Sequence, residues 1–103
     1  GKTEEDCKAQ GVEYELKKLS MMYSGRFVAE NEGADGLCKI IVDKKTRLIL
    51  GVHLIGAYAG EMIWGGAQML ETQFRVTDGR QIIFPHPTVS EIIREVLWEF
   101  PDK

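Results

Sequence analysis

The sequence predicts an α+β fold in which an antiparallel sheet carries helices packed on one face. Three observations predict it. Two apolar stretches alternate with a period of two on either side of a polar turn, the later half changes to the period of a helix, and the two kinds of element occupy separate blocks. With 103 residues, 44% of them hydrophobic and 28% charged, the chain fits a single globular domain spanning residues 1–103.

The chain begins with the signals of a short helix. Thr3 can cap it, and the acidic residues 4–6 lie favourably against the positive end of the helix dipole. Gly11 is a typical C-terminal stop, so the helix should end at about Gln10. Because this signal directly follows Gly1, we expect the chain to be a fragment of a longer protein.

Strands should follow the first helix. Residues 12–22 are predicted to be extended, with Tyr14, Leu16 and Leu19 facing inward. Residues 26–31 are expected to form a helical turn and residues 32–36 a loop. A hairpin is the clearest prediction, with residues 43–46 as its polar turn. Its apolar face should be formed by Cys38, Ile40, Val42, Leu48, Leu50, Val52 and Leu54.

Three helices are predicted after the hairpin. Residues 59–73 should form the first, with a buried face of Met62, Ile63, Ala67 and Leu70. The pair Gly65-Gly66 would let another backbone approach it closely. A second short helix should be capped by Thr77 or Asp78 and run through Ile83. The last should span residues 88–100, placing on one face Val89, Ile92, Ile93, Val96, Leu97 and Phe100.

Several functional classes are disfavoured by composition. The net charge of −3 disfavours a nucleic-acid partner. No apolar run approaches the roughly 20 residues that span a bilayer, and no signal peptide opens the chain, so we expect no membrane association and a cytoplasmic location. Cys7 and Cys38 belong to no closely spaced pair, which favours two reduced thiols. His53 is interpreted as a packed strand residue, and no spacing of residues indicates a metal site.

The second histidine lies in an unusual context. Pro85 and Pro87 flank His86 and keep it out of the helix that follows. If the chain folds back, Glu91 can accept a hydrogen bond from one imidazole nitrogen, which raises the imidazole pKa and directs the other nitrogen outward as a general acid–base group. The alternative is a capping box in which Thr88 is the cap and Glu91 serves a backbone N–H. Spacing leaves both interpretations open.

The sequence His86-Pro87-Thr88-Val89-Ser90-Glu91 resembles the C-terminal signature of the pyridine-nucleotide-disulfide oxidoreductases. Further matches to the interface domain of that family follow in the same order, at residues 1–5, 39–43, 49–56 and 59–63. The resemblance covers nearly the whole chain and is strongest to the dihydrolipoamide dehydrogenase branch. The chain lacks the terminal cysteine pair expected of a mercuric reductase, and it departs from the complete family pattern in having no G-x-G-x-x-G and no active-site cysteine pair.

The resemblance implies a homodimerisation domain in a flavoenzyme whose other domains bind FAD and NAD. His86 and Glu91 would be catalytic, His86 acting as the base toward the dithiol centre of the partner subunit, and His86 with Pro87 would lie at the cofactor. The substrate would be dihydrolipoyl groups of 2-oxoacid dehydrogenase complexes or of the glycine cleavage system. This chain alone would hold no cofactor and would be inactive. Interface residues are predicted at Met21, Met22, Tyr23 and Trp98.

Two alternatives remain open at this point. One is a free-standing interaction module of the same fold that dimerises without catalysis. The other is the same domain from an enzyme similar to glutathione reductase. A pure binding function would not require His86 and Glu91 to touch, so this contact separates the first alternative from an enzyme.

Overall fold

The computed structural model describes residues 1–20, 36–56, 59–81 and 90–101. A three-stranded antiparallel sheet in the order β1-β2-β3 forms its centre. The strands are β1 (Tyr14–Ser20), β2 (Leu37–Asp43) and β3 (Ile49–Ile55), and the helices are α1 (Glu4–Gln10), α2 (Ala59–Glu71), α3 (Val76–Arg80) and α4 (Glu91–Trp98). The predicted α+β class and hairpin are confirmed. The predicted turn at 26–31 lies outside the described residues, as does the predicted loop except for Gly36.

The main core lies between one face of the sheet and the helices α2, α3 and α4. Burial there removes apolar side chains from water, which is the largest favourable contribution to folding. The buried residues of this core are Cys38, Ile40, Val42, Ile49, Val52, Met62, Met69, Val76, Ile92, Ile93, Val96, Leu97 and Phe100. The predicted apolar stripe of the last helix is therefore confirmed at each of its described positions.

A register shift interrupts the β2–β3 ladder. Ile41 pairs with Gly51, but Val42 pairs with Ile49, so Leu50 is skipped. The extra residue is a β-bulge, and it reverses the alternation of faces along β3. The prediction that Leu48 and Leu50 belong to the apolar face was therefore wrong, because Ile49 occupies that place in the core.

The first helix lies over the opposite face of the sheet. Successive side chains of a strand point to opposite faces, so Leu19 shares the main core whereas Tyr14 and Leu16 face the other way. There Tyr14 donates from its hydroxyl to Glu4 Oε2 of α1 at 3.1 Å. The prediction that all three residues face one core was wrong, and α1 is the exception to helices on a single face.

The ends of α1 form as predicted. Asp6 donates its backbone N–H to Thr3 Oγ1 at 3.1 Å, and Thr3 donates its own to Asp6 Oδ2 at 3.0 Å. Hydrogen bonds from the Thr3 backbone N–H and from its side chain hold the pKa of the Asp6 carboxyl below its usual value. Gly11 ends the helix with φ of 69°, a left-handed conformation that glycine adopts without a steric penalty. Thr3 and Gly11 therefore set the limits of this helix.

Helix α2 packs through a face that includes the predicted Met62 and Leu70 but not the predicted Ile63 and Ala67. Met62, Gly66 and Met69 are buried, whereas Ile63 is 39% exposed and Ala67 is also exposed. A Cβ on Gly66 would lie 3.0 Å from Cγ1 of Val52, so this glycine permits the close approach of α2 to β3. Gly65 has no such neighbour. The pair therefore has a close neighbour at Gly66 alone, and this neighbour is the Val52 side chain rather than the predicted second backbone.

Helices α3 and α4 meet at their C-terminal ends. Arg75 donates its backbone N–H to Asp78 Oδ2 at 3.0 Å, so Asp78 acts from inside α3 and the predicted cap at Thr77 or Asp78 was wrong. The helix also ends at Arg80 rather than Ile83. Arg80 donates from Nε to the Leu97 carbonyl at 3.2 Å and from Nη2 to the Phe100 carbonyl. These bonds satisfy carbonyls at the end of α4 and hold the helix in place.

The two cysteines are buried and unpaired, as predicted. Cys7 lies on α1 and Cys38 on β2, on opposite faces of the sheet. Burial raises the pKa of the Cys38 thiol to about 12. Among the described residues, no helix is both long and apolar enough to cross a membrane.

Candidate functional site

Of the three predicted site residues, the described part of the structure includes one, Glu91. Glu91 is the first residue of α4, whereas His86 and Pro87 fall within residues 82–89, outside the described residues. The acid–base contact between His86 and Glu91 and the cofactor contacts of His86 and Pro87 therefore stay predictions. What the structure defines is the setting of the carboxylate.

Glu91 is 6% exposed, and no other charged residue in the described part of the chain is buried. Burying an unpaired carboxylate costs several kcal/mol or more, so such groups occur with partners. Arg94 provides one, donating from Nη2 to Glu91 Oε2 at 2.9 Å. The carboxylate is thus inside the protein and held by a charge-assisted bond.

The position of Glu91 follows from the packing of α4. Ile92 and Ile93 come directly after it and are buried in the main core, which fixes the helix on the sheet. A carboxylate in the first turn of a helix is also stabilised by the positive end of the helix dipole. Glu91 therefore occupies a rigid position at the N-terminal end of a packed helix, where the preceding residues arrive.

The capping-box alternative requires Glu91 at the third position of its helix. In the structure the helix begins at Glu91, with Ser90 in the position before it. Ser90 itself has helical backbone angles, with φ of −61° and ψ of −18°, so the start of the helix depends on the residues before it and the capping-box alternative stays a prediction. Thr88, its predicted cap, lies outside the described residues.

Arg94 is the site residue that sequence reasoning missed. Its guanidinium carbon lies 4.7 Å from the ring centroid of Trp98, an arrangement that attracts the cation to the π face. A weaker ion pair joins Nη2 to Glu95 Oε1 at 3.8 Å. The spacing 91, 94, 98 places the three groups on adjacent turns of one helix face, and this signal was present in the sequence. Within the described residues, Arg94 Nε is buried without a hydrogen-bond acceptor.

His53 has a structural environment, as interpreted from its strand context. Its Nε2 lies 3.0 Å from the carbonyl oxygen of Lys2, so the ring links β3 to the start of the chain. Within the described ranges, no group of three or more His, Cys, Asp or Glu side chains could hold a metal ion.

Large apolar side chains are exposed on β3, α2 and α4. Trp98 is 54% exposed and Arg94 stacks on it, so its place in an interface stays a prediction. The other exposed large side chains are Ile55 at 68%, Ile63 at 39% and Trp64 at 68%. Exposed apolar surface of this kind marks protein–protein contacts when it forms a patch. Met21, Met22 and Tyr23 lie outside the described residues.

Comparison with protein families gives a match over residues 1–97 to the pyridine nucleotide-disulphide oxidoreductase dimerisation domain. The chain is 42% identical to mitochondrial dihydrolipoyl dehydrogenase of Pisum sativum over 103 residues. It is 41% identical over the same length to leghemoglobin reductase of Vigna unguiculata. Both alignments cover 100% of this chain and 20% of the relative, so the chain spans about a fifth of the length of these proteins.

Solved structures show the same fold. The HOCl-induced flavoprotein disulfide reductase RclA from Escherichia coli is similar with a TM-score of 0.89 and 28% identity, over 98% of this chain and 23% of that one. LpdA from Mycobacterium tuberculosis gives a TM-score of 0.85 over 95% of this chain and 21% of that one. At 21% identity, the second likeness supports the fold alone.

Proposed function

Because the chain belongs to the family of pyridine nucleotide-disulphide oxidoreductase dimerisation domains, we propose that it is the interface domain of a longer disulfide oxidoreductase of the dihydrolipoyl dehydrogenase type. In this proposal it dimerises with a second copy of the same protein. It also supplies the acid–base pair His86 and Glu91 to the dithiol centre of the partner subunit. The isolated 103-residue chain would not catalyse the reaction.

One observation carries the catalytic part of the proposal. Glu91 is a buried carboxylate at the start of a packed helix, five residues after His86 in the sequence. Charged residues are rarely buried without a partner or a function, and strongly desolvated carboxylates concentrate at functional sites. A carboxylate in this position suits the orientation of an imidazole that approaches from the segment before the helix.

In the proposed reaction, the role of this domain is to place a general base next to the substrate dithiol. Oxidation of a dihydrolipoyl dithiol forms one disulfide bond and releases two electrons and two protons. His86 would take a proton from the substrate thiol, since the thiolate is the nucleophile in disulfide exchange. Glu91 would hold the ring in one tautomer and stabilise the imidazolium that forms.

FAD and NAD would accept the electrons, which is chemistry that belongs to those cofactors. The chain has no G-x-G-x-x-G sequence, so we assign their binding to other domains of the full-length protein. His86 and Pro87 would be the residues of this chain that contact the flavin. The dithiol would come from lipoyl groups of 2-oxoacid dehydrogenase complexes or of the glycine cleavage system.

The cellular compartment of this chain would be that of the full-length protein to which it belongs. Relatives from Pisum sativum and Caenorhabditis elegans are named mitochondrial, whereas the name of the Cupriavidus necator relative gives no compartment. We retain a cytoplasmic location as the proposal for this chain.

A free-standing dimerisation module is the second candidate. The exposed side chains of Ile55 and Trp64 favour self-association whether or not catalysis occurs. The coding sequence before Gly1 separates the two candidates. A glycine-rich nucleotide-binding sequence and a close cysteine pair there would support the enzyme, and a start codon next to Gly1 would support the module.

The test of the enzyme is NAD⁺ reduction by dihydrolipoamide, measured on the full-length protein and its variants. We expect His86→Gln to lower kcat by about 100-fold or more, because a positioned general base contributes about 10²–10⁴-fold. Glu91→Gln should lower kcat by a smaller factor, since the base remains. Unchanged kcat in both variants would contradict the catalytic role while leaving the dimerisation role intact.

A further inference from the structure

The carboxylate of Glu91 is bound by a cation, the guanidinium of Arg94, which has no direct role in the proposed reaction. Arg94 lies one helical turn after Glu91 and donates to its Oε2 at 2.9 Å. Its side chain is 23% exposed and that of Glu91 is 8% exposed, so the bond is shielded from water. Shielding strengthens an ion pair and makes its geometry matter more than that of a surface pair.

Trp98 holds the guanidinium from the other side. The 4.7 Å separation between Arg94 Cζ and the ring centroid places the cation over the indole. The planar guanidinium can stack on an aromatic ring while its N–H groups donate in their own plane. Glu91, Arg94 and Trp98 thus form a series of contacts along one face of α4, in which each group limits the movement of the next.

We propose that Arg94 is a positioning residue for Glu91 and that Trp98 keeps Arg94 in the required orientation. This inference rests on the proposed function, because it concerns the carboxylate that would orient the catalytic base. Neither Arg94 nor Trp98 is assigned contact with the substrate. Their effect is on the orientation of Glu91 Oε2, and a shift of about 1 Å at a catalytic group can cost about 100-fold in rate.

The arrangement explains why both residue types are needed. Lysine at position 94 would keep the positive charge but lose the planar donor group that stacks and bonds at once. Removing the indole at position 98 would leave the charge in place and release the guanidinium to rotate toward solvent or toward Glu95, whose Oε1 is 3.8 Å from Nη2. Each change therefore loosens Glu91 without altering its chemistry.

The experiment measures kcat, KM and the pH dependence of kcat for the full-length protein, with dihydrolipoamide and NAD⁺ as substrates. Trp98→Ala and Arg94→Lys should each lower kcat by about tenfold with KM unchanged, a fraction of the about 10²–10⁴-fold that a general base supplies. Trp98→Phe, which retains an aromatic face, should recover most of the rate. Glu99→Gln is the matched control, removing a charge from the exposed residue at the end of the same helix, and should leave kcat unchanged.

The outcomes are distinguishable. A loss in Trp98→Ala and Arg94→Lys with KM and the dimer intact, shown by sedimentation, supports positioning. Unchanged kcat in these two variants, together with a loss in Glu91→Gln, overturns positioning and keeps the proposed function. A loss that accompanies dissociation of the dimer overturns it too and assigns Trp98 to the interface. Unchanged kcat in Glu91→Gln itself removes the catalytic role of Glu91, and this inference with it, while the dimerisation role stands.

Discussion

The two faces of the sheet differ in what covers them. One is covered by α2, α3 and α4, and its side chains on β2 are apolar without exception, at Cys38, Ile40 and Val42. The other is covered by the seven-residue α1, and there the charged side chain of Lys39 lies 3.9 Å from Glu4. The first face holds α4, and with it Glu91, whereas the second joins the sheet to the start of the chain. The site is therefore built on the more deeply buried face.

Neighbouring residues on β2 provide the strongest test of this difference. Ile40 and Ile41 are both fully buried but point to opposite faces. Ile40→Ala should lower the free energy of unfolding by about 3–4 kcal/mol, because three packed helices surround the cavity and cannot close it. Ile41→Ala should cost about 2 kcal/mol, since the short α1 can move inward. Urea denaturation followed by tryptophan fluorescence measures both, and equal costs would show that the two faces are equally rigid.

The packing of α2 on the main core can be tested with adjacent glycines. Gly66→Ala places a methyl group 3.0 Å from Val52, and we expect a net cost of about 1 kcal/mol after the helix propensity of alanine is included. Gly65→Ala meets no neighbour within 4 Å and should stabilise the protein by about 0.5–1 kcal/mol. Opposite signs in the unfolding free energies confirm the contact face of α2. The same sign for both would mean that the helix shifts freely on β3.

The burial of Cys38 should be visible as a dependence of stability on pH. Its pKa is about 12 in the folded protein and 9.0 by reference, so the folded state disfavours the thiolate. The stabilisation is complete below pH 9 and is lost as the pH rises toward 12. From pH 8 to pH 10 this group should lower the free energy of unfolding by about 1.4 kcal/mol.

The control for this prediction is Cys38→Ala, which removes the titrating group from the same place in the core. Its unfolding free energy should fall less between pH 8 and pH 10 than that of the unchanged protein. Parallel pH curves for the two proteins would contradict the burial of this thiol on the main core face.

The smallest expected effect concerns the cap of α1 on the second face. Thr3→Ala removes the acceptor of the Asp6 N–H and should cost about 1 kcal/mol. Thr77, inside α3, is a matched control, and Thr77→Ala should change stability by less than about 0.5 kcal/mol. Equal effects of the two substitutions would show that the Thr3 cap does not hold α1 on the sheet.

Local signals in the sequence predicted where helices and strands occur better than they predicted which side of each element is buried. Thr3 and Gly11 predicted both limits of α1 because each acts on the backbone next to it. The bulge at Leu50 and the rotated face of α2 were missed, because they depend on contacts between elements distant in the chain. On α2 the small Gly66 lies against Val52 of β3, whereas Ile63 lies on the solvent side.

At the candidate site, the sequence identified Glu91 as a functional carboxylate, and the structure adds that this side chain is buried. The resemblance around His86 singled out Glu91, but nothing in the motif indicated that Arg94 would bind it. The spacing of Glu91, Arg94 and Trp98 is consistent with one helix face, yet many surface helices share such spacing without burial. Burial depends on how α4 packs on the sheet, which a local pattern does not contain.

The central claim is that the buried Glu91 orients His86 as a base. NMR titration of the His86 ring in the unchanged protein and in Glu91→Gln tests it most directly, with the His53 signal as an internal reference. A nearby carboxylate favours the imidazolium, so we expect the pKa of His86 to fall in Glu91→Gln. An identical pKa of His86 in the two proteins would contradict the claim and leave Glu91 as a structural residue of α4.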